Sequence, residues 1–587
     1  MKEKRFIDYV MPNIPIMMLG LLIKFIGTIS ELFLPSILSY MIDDIAPTGD
    51  VGMMFIFGGV MIAASFIVLI ANIVANRMAS KVSSKITRKL RHDSFEKTLH
   101  LSCEQMDRIT APTLVSRLTS DTYNVNQMLI SVQRIGVRAP ILVIGGVVVT
   151  LFLDRALTVV LLAIMPIVFA IIFFISRRGI RLYTEVQHSA DRLVLGMQEN
   201  LNGIRVIKAL SKTEYENEKF GSINNELMQN DIRAGRNNAL SGPILQLFLN
   251  YGLTAVIIYG AIRVSLDLSR PGAIIAFLSY FTIILNALMM VNRVFMQLSK
   301  GLASVRRINE LLAEDTTDIS EKISAESEKE AVILHENGEK TAASEYRIVF
   351  DGVSFSYLKV KDNVENISFA LRPGETLGII GATGSGKTTV ISLLLRFYQP
   401  DSGRILIDGV DISSIPPSEL YKRIGVALQS DFLMADTIRE NIAFGREMTD
   451  GEITYAAENA MAAEFIAEKP GGINEFLNVK GANVSGGQKQ RILISRALAG
   501  KPDILILDDS SGGLDYRTDA LLRQNLATAY ADVTRVIVAQ RVSSIMNANI
   551  IMVLDEGRVI GFGTHAELME SCPDYRHIAE TQMGSKQ

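Results

Sequence analysis

The run Gly381-Ala382-Thr383-Gly384-Ser385-Gly386-Lys387-Thr388-Thr389 fits the spacing G-x-x-x-x-G-K-[ST] at Gly381, Gly386, Lys387 and Thr388. Glycines at this density let successive backbone N–H groups point into one concavity, which is the geometry that cradles phosphate. Lys387 then reaches the β- and γ-phosphates of a nucleotide, and the Thr388 hydroxyl is placed to ligate Mg²⁺.

Such a loop works only between a strand and a helix. Upstream, Thr376–Ile380 is a short apolar run that reads as a buried strand, and downstream Val390–Arg396 is apolar at helical spacing. The helix N-terminus adds partial positive charge where the phosphates sit.

The rest of the chain must say what the nucleotide is for. At 587 residues it is too long for one compact domain. An apolar content of 48% suggests membrane segments rather than one large soluble core. A net charge of -3 argues against a nucleic-acid partner. The two cysteines, Cys103 and Cys572, lie far apart and form no metal or disulfide framework, and the histidines form no zinc cluster.

Met1–Asn13 is basic and amphipathic. From Ile14 onward six hydrophobic spans are expected near 14–42, 52–76, 127–153, 156–176, 238–262 and 271–292. Arg77, Lys81, Lys85, Arg88, Lys89, Arg91 and Lys97 follow the second span, and Arg177, Arg178 and Arg181 follow the fourth. The loop after the first holds Asp43, Asp44 and Asp50 and no basic residue. Positive-inside bias therefore places both termini, and the stretches 77–126 and 177–237, in the cytoplasm of a cell that carries the protein in its plasma or inner membrane. Both stretches keep helical periodicity and read as helices that outrun the bilayer.

Polar groups inside the spans are Lys24, Glu31, Arg134, Arg138, Gln246, Asn250, Asn286 and Asn292. Burying charge in lipid is costly, so these should face the bundle interior or a wet cavity. Two readings stand open: a substrate pathway lined also by Tyr251, Tyr280, Met289, Met290 and Phe295, or ordinary helix–helix hydrogen bonding and packing.

Glu314–Glu345 is a polar connector without periodicity. Beyond Tyr346 the pattern turns α/β, with strands expected at Arg347–Phe350, Leu377–Ile380, Arg404–Ile407, Ile504–Leu507, Arg535–Val538 and Ile550–Val553. The expected architecture is an α-helical polytopic membrane domain (1–312), a linker (313–345) and an α/β P-loop NTPase domain (346–587).

Across nearly its whole length the chain resembles a half-transporter of the ATP-binding cassette superfamily, of the exporter type. The resemblance rests on the phosphate loop together with Ser485-Gly486-Gly487-Gln488, which matches the signature SGGQ, and on Ile504–Asp508, an apolar strand ending in a carboxylate. It implies ATP and Mg²⁺ as ligands, with Thr388, Gln429 and Asp508 around the metal. It implies that Tyr357 stacks on adenine and that Gln429 touches Mg²⁺ and the attacking water. It also implies that Ser485–Gln488 closes over an ATP held by a second domain, so a partner chain completes each site. Leu114–Asp121, Glu199–Lys208 with Glu214–Phe220, and Ala303–Leu312 match the family's coupling regions and its exit from the sixth span.

The sequence departs from the family at the reaction centre. Asp509 stands where the general-base glutamate is usual, and Gln540 where a histidine contacts the γ-phosphate. Gly512-Gly513-Leu514-Asp515 replaces a usual Ser-Ala-Leu-Asp, and Val479-Lys480-Gly481 a usual Glu-Arg-Gly. Aspartate withdraws the carboxylate by about an ångström, a misplacement that costs roughly 100-fold in rate. Glutamine cannot relay a proton.

The expectation is therefore a subunit of a heterodimeric, ATP-driven exporter of lipophilic drugs or other amphiphiles. Its own site is degenerate, and its intact signature serves a partner half-transporter. A homodimeric lipid or peptide exporter with a slow site, and an ATP-gated channel or sensor, remain as alternatives.

Overall fold

The computed structural model describes residues 5–315, 345–429, 432–510 and 512–583. Most of the connector Glu314–Glu345, and Ser430 beside Gln429, lie outside the described residues, as does the side chain of Asn292. The chain divides into two compact units. One comprises Met1–Leu101 with Ile109–Glu314, the other Ser102–Arg108 with Asp315–Gln587.

The first unit is built from helical stretches. Among the described residues, six are long and apolar enough to cross a membrane: Phe6–Thr48, Val51–Leu99, Ala111–Leu153, Arg155–Asn202, Thr213–Ser265 and Pro271–Leu312. At 1.5 Å per residue each outruns a hydrocarbon core of roughly 30 Å. The acidic residues of the short turns are spent on helix N-termini, where the backbone leaves N–H groups unpaired. Asp50 accepts from Met53 N at 3.0 Å. Asp154 accepts from Ala156 N at 2.9 Å and Leu157 N at 3.2 Å. Asp43 accepts from Gly272 N at 2.6 Å and Ala273 N at 3.0 Å, capping the sixth helix from the end of the first.

Inside the bundle the polar groups largely satisfy one another. Arg138 donates from Nη2 to both Glu31 oxygens at 2.7 and 2.9 Å. Lys24 Nζ donates to Asn72 at 2.6 Å and Asn76 at 3.2 Å. Tyr280, expected as a candidate pathway residue, is fully buried and shares a 2.6 Å hydrogen bond with Ser36 Oγ. Its ring packs with Phe277, Phe281 and Ile284 in the bundle core. Tyr251 and Phe295 are exposed on the single chain.

The two family-like stretches Leu114–Asp121 and Ala303–Leu312 come together. Asp121, 2% exposed, accepts from Ser304 Oγ at 2.8 Å and from Arg307 Nε at 2.9 Å.

The second unit is α/β. A four-stranded antiparallel sheet runs β2 (Val364–Leu371), β1 (Ile348–Phe355), β4 (Ser402–Ile407), β5 (Val410–Asp411). A six-stranded sheet runs β10 (Arg558–Gly563), β9 (Ile550–Asp555), β3 (Thr376–Gly381), β8 (Thr534–Val538), β7 (Ile504–Asp508), β6 (Ile424–Ala427). Its pairs are parallel except β10 with β9. Phe350 stacks on Phe369 at 4.5 Å in the core shared by the two sheets. A second core holds the helices Ile438–Ala443, Asp450–Asn459 and Gly486–Ala499 against β7.

Replacing Asp121 by Ala leaves Ser304 and the Arg307 guanidinium without their shared acceptor. We expect a loss of about 2 kcal/mol, read as a lower thermal-unfolding temperature of the solubilised protein, with Asp121→Asn losing less. Equal melting of D121A and the parent would show that the bond contributes nothing.

Candidate nucleotide site

The phosphate loop forms because β3 ends at Gly381 and the helix Lys387–Leu394 begins directly after Gly386. Gly384 and Gly386 adopt φ of 85° and 98°, left-handed values that a Cβ would strain. A Cβ at Gly381 would lie 2.1 Å from Leu554 O, so β9 backs the loop too closely for any side chain. Ala382, Thr383 and Gly384 are exposed, whereas Ser385 and Thr389 are buried beneath them. Lys387 Nζ bends over the loop and donates to Gly381 O at 2.8 Å, Ala382 O at 2.6 Å and Ser385 Oγ at 3.3 Å. Burial lowers its pKa, against the opposing pull of Asp508 and Asp509.

Asp508 closes β7 at 2% exposure. Burial pushes its carboxyl above the usual range; a hydrogen bond from Thr388 and the charge of Lys387 only partly offset this. A hydroxyl, a carboxylate and the Gln429 amide are hard oxygen donors of the kind Mg²⁺ takes, and the carboxylate's unmet charge fits a divalent cation. Thr388, Gln429 and Asp508 would hold it. Mg²⁺ bound there supplies charge neutralisation for phosphate oxygens.

Asp509 follows in a left-handed conformation, φ 49°, which aspartate tolerates better than most residues. Its Oδ2 accepts from Gln540 Nε2 at 2.6 Å and from Gln429 Nε2 at 3.2 Å. Three residues from separate strand ends thus converge on one carboxylate oxygen. The C-terminal helix Pro573–Met583 holds the Gln540 segment in turn. Gln582 donates to Gln540 O at 2.8 Å and accepts from Val542 N at 2.8 Å.

Ser485 and Gln488 form a reciprocal cap at the start of the helix Gly486–Ala499. Gln488 N donates to Ser485 Oγ at 3.2 Å, and Ser485 N to Gln488 Oε1 at 3.1 Å. Gly486 faces open space, while a Cβ at Gly487 would lie 2.8 Å from Gly513 O. The signature and Gly512–Gly513 are therefore one packed element. Lys480 lies in a short 3₁₀ turn at φ 60°.

Tyr357 is 41% exposed and meets Phe355 and Tyr398 edge-on, each at 4.9 Å. Sequence reasoning missed Tyr398 and the short helix Cys103–Ile109. Tyr398 donates its hydroxyl to Asp107 at 2.5 Å, and Gln105 donates to Asp315 O at 2.9 Å. Ser102–Arg108 thus belongs to the second unit, whereas Leu114–Asp121 belongs to the first. A local signal existed: Ser102 and Gln105 form a capping pair that restarts the chain as a new helix.

Residues 17–288 match the family model described as the ABC transporter transmembrane region, and residues 364–512 that described as ABC transporter. The chain is 34% identical over 556 residues to the ABC transporter ATP-binding protein YfiB of Bacillus subtilis, covering 94% of each. It is 31% identical over 496 residues to an ATP-dependent lipid A-core flippase of Nitrosococcus oceani, covering 84% of this chain and 80% of that one. A bacterial Atm1-family ABC exporter solved with ATP bound shares the fold, with a TM-score of 0.78, 22% identity and 99% of both chains covered. The chain belongs to the ABC transporter family. It is an integral membrane, ATP-binding transporter with a nucleotide-binding domain and, among the described residues, six candidate spans.

Asp508→Asn separates metal binding from folding. A carboxyl whose folded pKa is raised costs nothing below its unfolded pKa; the cost grows as pH rises from there to the folded pKa and persists in full above it. Without nucleotide, D508N should therefore melt higher than the parent at neutral pH, the gap closing as pH falls into the carboxylate range. Protection by Mg²⁺-ATP should weaken by roughly tenfold or more. Undiminished Mg²⁺-ATP protection would remove Asp508 from the metal's surroundings.

Proposed function

We propose that this chain is one subunit of a heterodimeric exporter. Its own phosphate loop holds Mg²⁺-ATP but turns it over poorly, and its signature Ser485–Gln488 completes the productive site of a second half-transporter. The observation that carries the reading is the shared oxygen of Asp509. The side chain standing where the family's general base stands is short, and two amides hold it. A base acts only within hydrogen-bond reach of the proton it takes. Gln540, where histidine is usual, offers an amide that neither gains nor relays a proton.

Binding and turnover separate on this account. Lys387, the loop amides and Thr388 orient the phosphates, Asp508 and Gln429 hold the cation, and Tyr357 offers its half-exposed ring for adenine to stack on. Asp509, drawn back and clamped, is a weak acceptor for the water's proton. The signature keeps both glycines in the first turn of its capped helix, so the partner's nucleotide would receive an unimpaired cradle.

ATP held between the two nucleotide-binding domains would favour one arrangement of the bundle, and hydrolysis at the partner's loop would release it. Both termini would lie in the cytoplasm of a cell whose plasma or inner membrane carries the pair. The cargo would be an amphiphile, a lipophilic drug or a lipid. The flippase relative supports that class through its own substrate.

Purified alone, the chain should bind ATP with little magnesium-dependent hydrolysis; appreciable turnover without a second subunit would overturn the pairing. In the pair, Asp509→Asn should lower ATPase no more than about threefold. Gly487→Asp, which sets a carboxylate at the signature helix N-terminus, should lower it by about 100-fold or more. The reverse ranking would mean that the two sites are assigned the wrong way round.

A further inference from the structure

The first unit holds a cavity of about 400 Å³ lined by Asn76, Arg77, Ser80, Lys81, Ser84 and Arg134. Three of these are cations, two are hydroxyls, and none is a carboxylate. Among the described residues no ion pair involves Arg77, Lys81 or Arg134. Arg134 Nη2 is steadied by Asn76 O at 3.1 Å and Ser80 Oγ at 2.5 Å. Its Nε is buried with no hydrogen-bond partner in the chain. Lys24 joins the same network through Asn76 at 3.2 Å. The one acid nearby, Glu31, is taken by Arg138. A guanidinium tied only to neutral groups, beside two further unneutralised cations, lacks an anion.

Depth says which anion. Arg134 precedes Asp154, at the far end of its helix, by about 30 Å of helical rise, one hydrocarbon thickness. Lys24 precedes Asp43 by about 28 Å. On the second helix the apolar run Val51–Ala75 ends immediately before Asn76 and Arg77. Three helices thus bring their basic groups to one level, the headgroup layer opposite the Asp43–Asp50 turn. A cation pocket at that level meets lipid phosphate before it meets anything else.

We propose that this pocket binds the phosphate of an anionic amphiphile, with Arg134 and Lys81 pairing its charge, Arg77 at the rim and the Ser80 and Ser84 hydroxyls completing its hydrogen bonds. The proposal rests on the amphiphile-export reading above and narrows it: a cationic cargo is repelled here, and a phosphate-bearing lipid is admitted.

The test uses the purified full-length transporter in phosphatidylcholine nanodiscs doped with phosphatidate, with retained lipid counted by native mass spectrometry and no nucleotide present. Each charge removed should weaken phosphatidate retention about fivefold. Arg77→Gln with Lys81→Gln should therefore weaken it about twenty-fivefold, and Arg134→Gln should act in the same direction, with phosphatidylcholine retention unchanged. Lys81 is exposed and makes no hydrogen bond or ion pair among the described residues, so its variant tests the site without threatening the fold. Lys85→Gln, one turn beyond the lining, is the control. Displacement by inorganic phosphate identifies a free anion at the pocket, and resistance to it a lipid headgroup; either supports a phosphate site. Phosphatidate retention equal in parent and variants, or lost equally in K85Q, overturns the proposal. Phosphatidate retained normally but never moved by ATP across sealed vesicles would instead sink the export reading and leave the pocket standing.

Discussion

Asp508 stands at the end of β7 almost without solvent, and burial raises its pKa because a charged carboxylate loses its hydration there. The neighbouring Asp509 charge adds to that cost, and two other neighbours offset part of it. Thr388 bonds it from the first turn of the helix after the phosphate loop, and Lys387 faces it from the same turn. The parallel order β3-β8-β7 sets the loop and the carboxylate on the same edge of one sheet. Without nucleotide, Lys387 occupies itself with Gly381 and Ala382 carbonyls. A cation held by neutral oxygens thus stands beside a buried carboxylate, a pair that a magnesium-bound triphosphate would complete.

The same electrostatic bookkeeping orders the membrane unit, with a different outcome. Glu31 and Arg138 form a two-pronged pair, and Asp154 both caps a helix and takes Arg263 at 3.2 Å. Those charges are closed accounts within one chain. Lys24, Arg77, Lys81 and Arg134 have no carboxylate among the described residues. Where such cations gather at the level of the lipid headgroups, an anionic headgroup is their natural counter-charge. Ordinary helix packing explains Tyr280, which is core, but does not explain a cavity lined by three cations.

Features that are local in sequence could be read from it. The phosphate loop needs only consecutive residues, and a long apolar run followed by arginines marks a helix leaving a bilayer. The central strands β3, β7 and β9 are largely apolar segments, and β8 ends in the apolar run Val536–Val538. The edge strands β2, β5, β6 and β10 are not among those expected: Glu365, Asn366 and Ser368 interrupt the apolar pattern of Val364–Leu371, Val410–Asp411 and Ile424–Ala427 are very short, and Arg558–Gly563 carries two glycines and an arginine. The short helix Cys103–Ile109 was read as part of a longer one, since its periodicity continues that of its neighbours and only the Ser102–Gln105 cap interrupts it. Convergence was illegible by nature. Gln429, Asp509 and Gln540 are spread over more than a hundred residues, and nothing in their spacing says that one carboxylate oxygen receives both amides. Family resemblance named the positions, but the geometry shows what occupies them.

That geometry also bears on why the two departures occur together. Asp509 takes a left-handed backbone at the turn out of β7, which a short polar side chain tolerates by bonding locally. A histidine opposite it would bring a ring that is charged or neutral according to pH. An amide brings a donor whose own charge does not change with pH. Aspartate and glutamine therefore suit each other as a structural pair, as glutamate and histidine suit each other for moving a proton. Restoring one partner alone would leave a longer carboxylate facing an amide, or a ring facing a carboxylate set too far back. On the proposed reading the degenerate site is a stable alternative arrangement in its own right, one that fixes the end of β7 and leaves the signature helix to act on the partner's nucleotide.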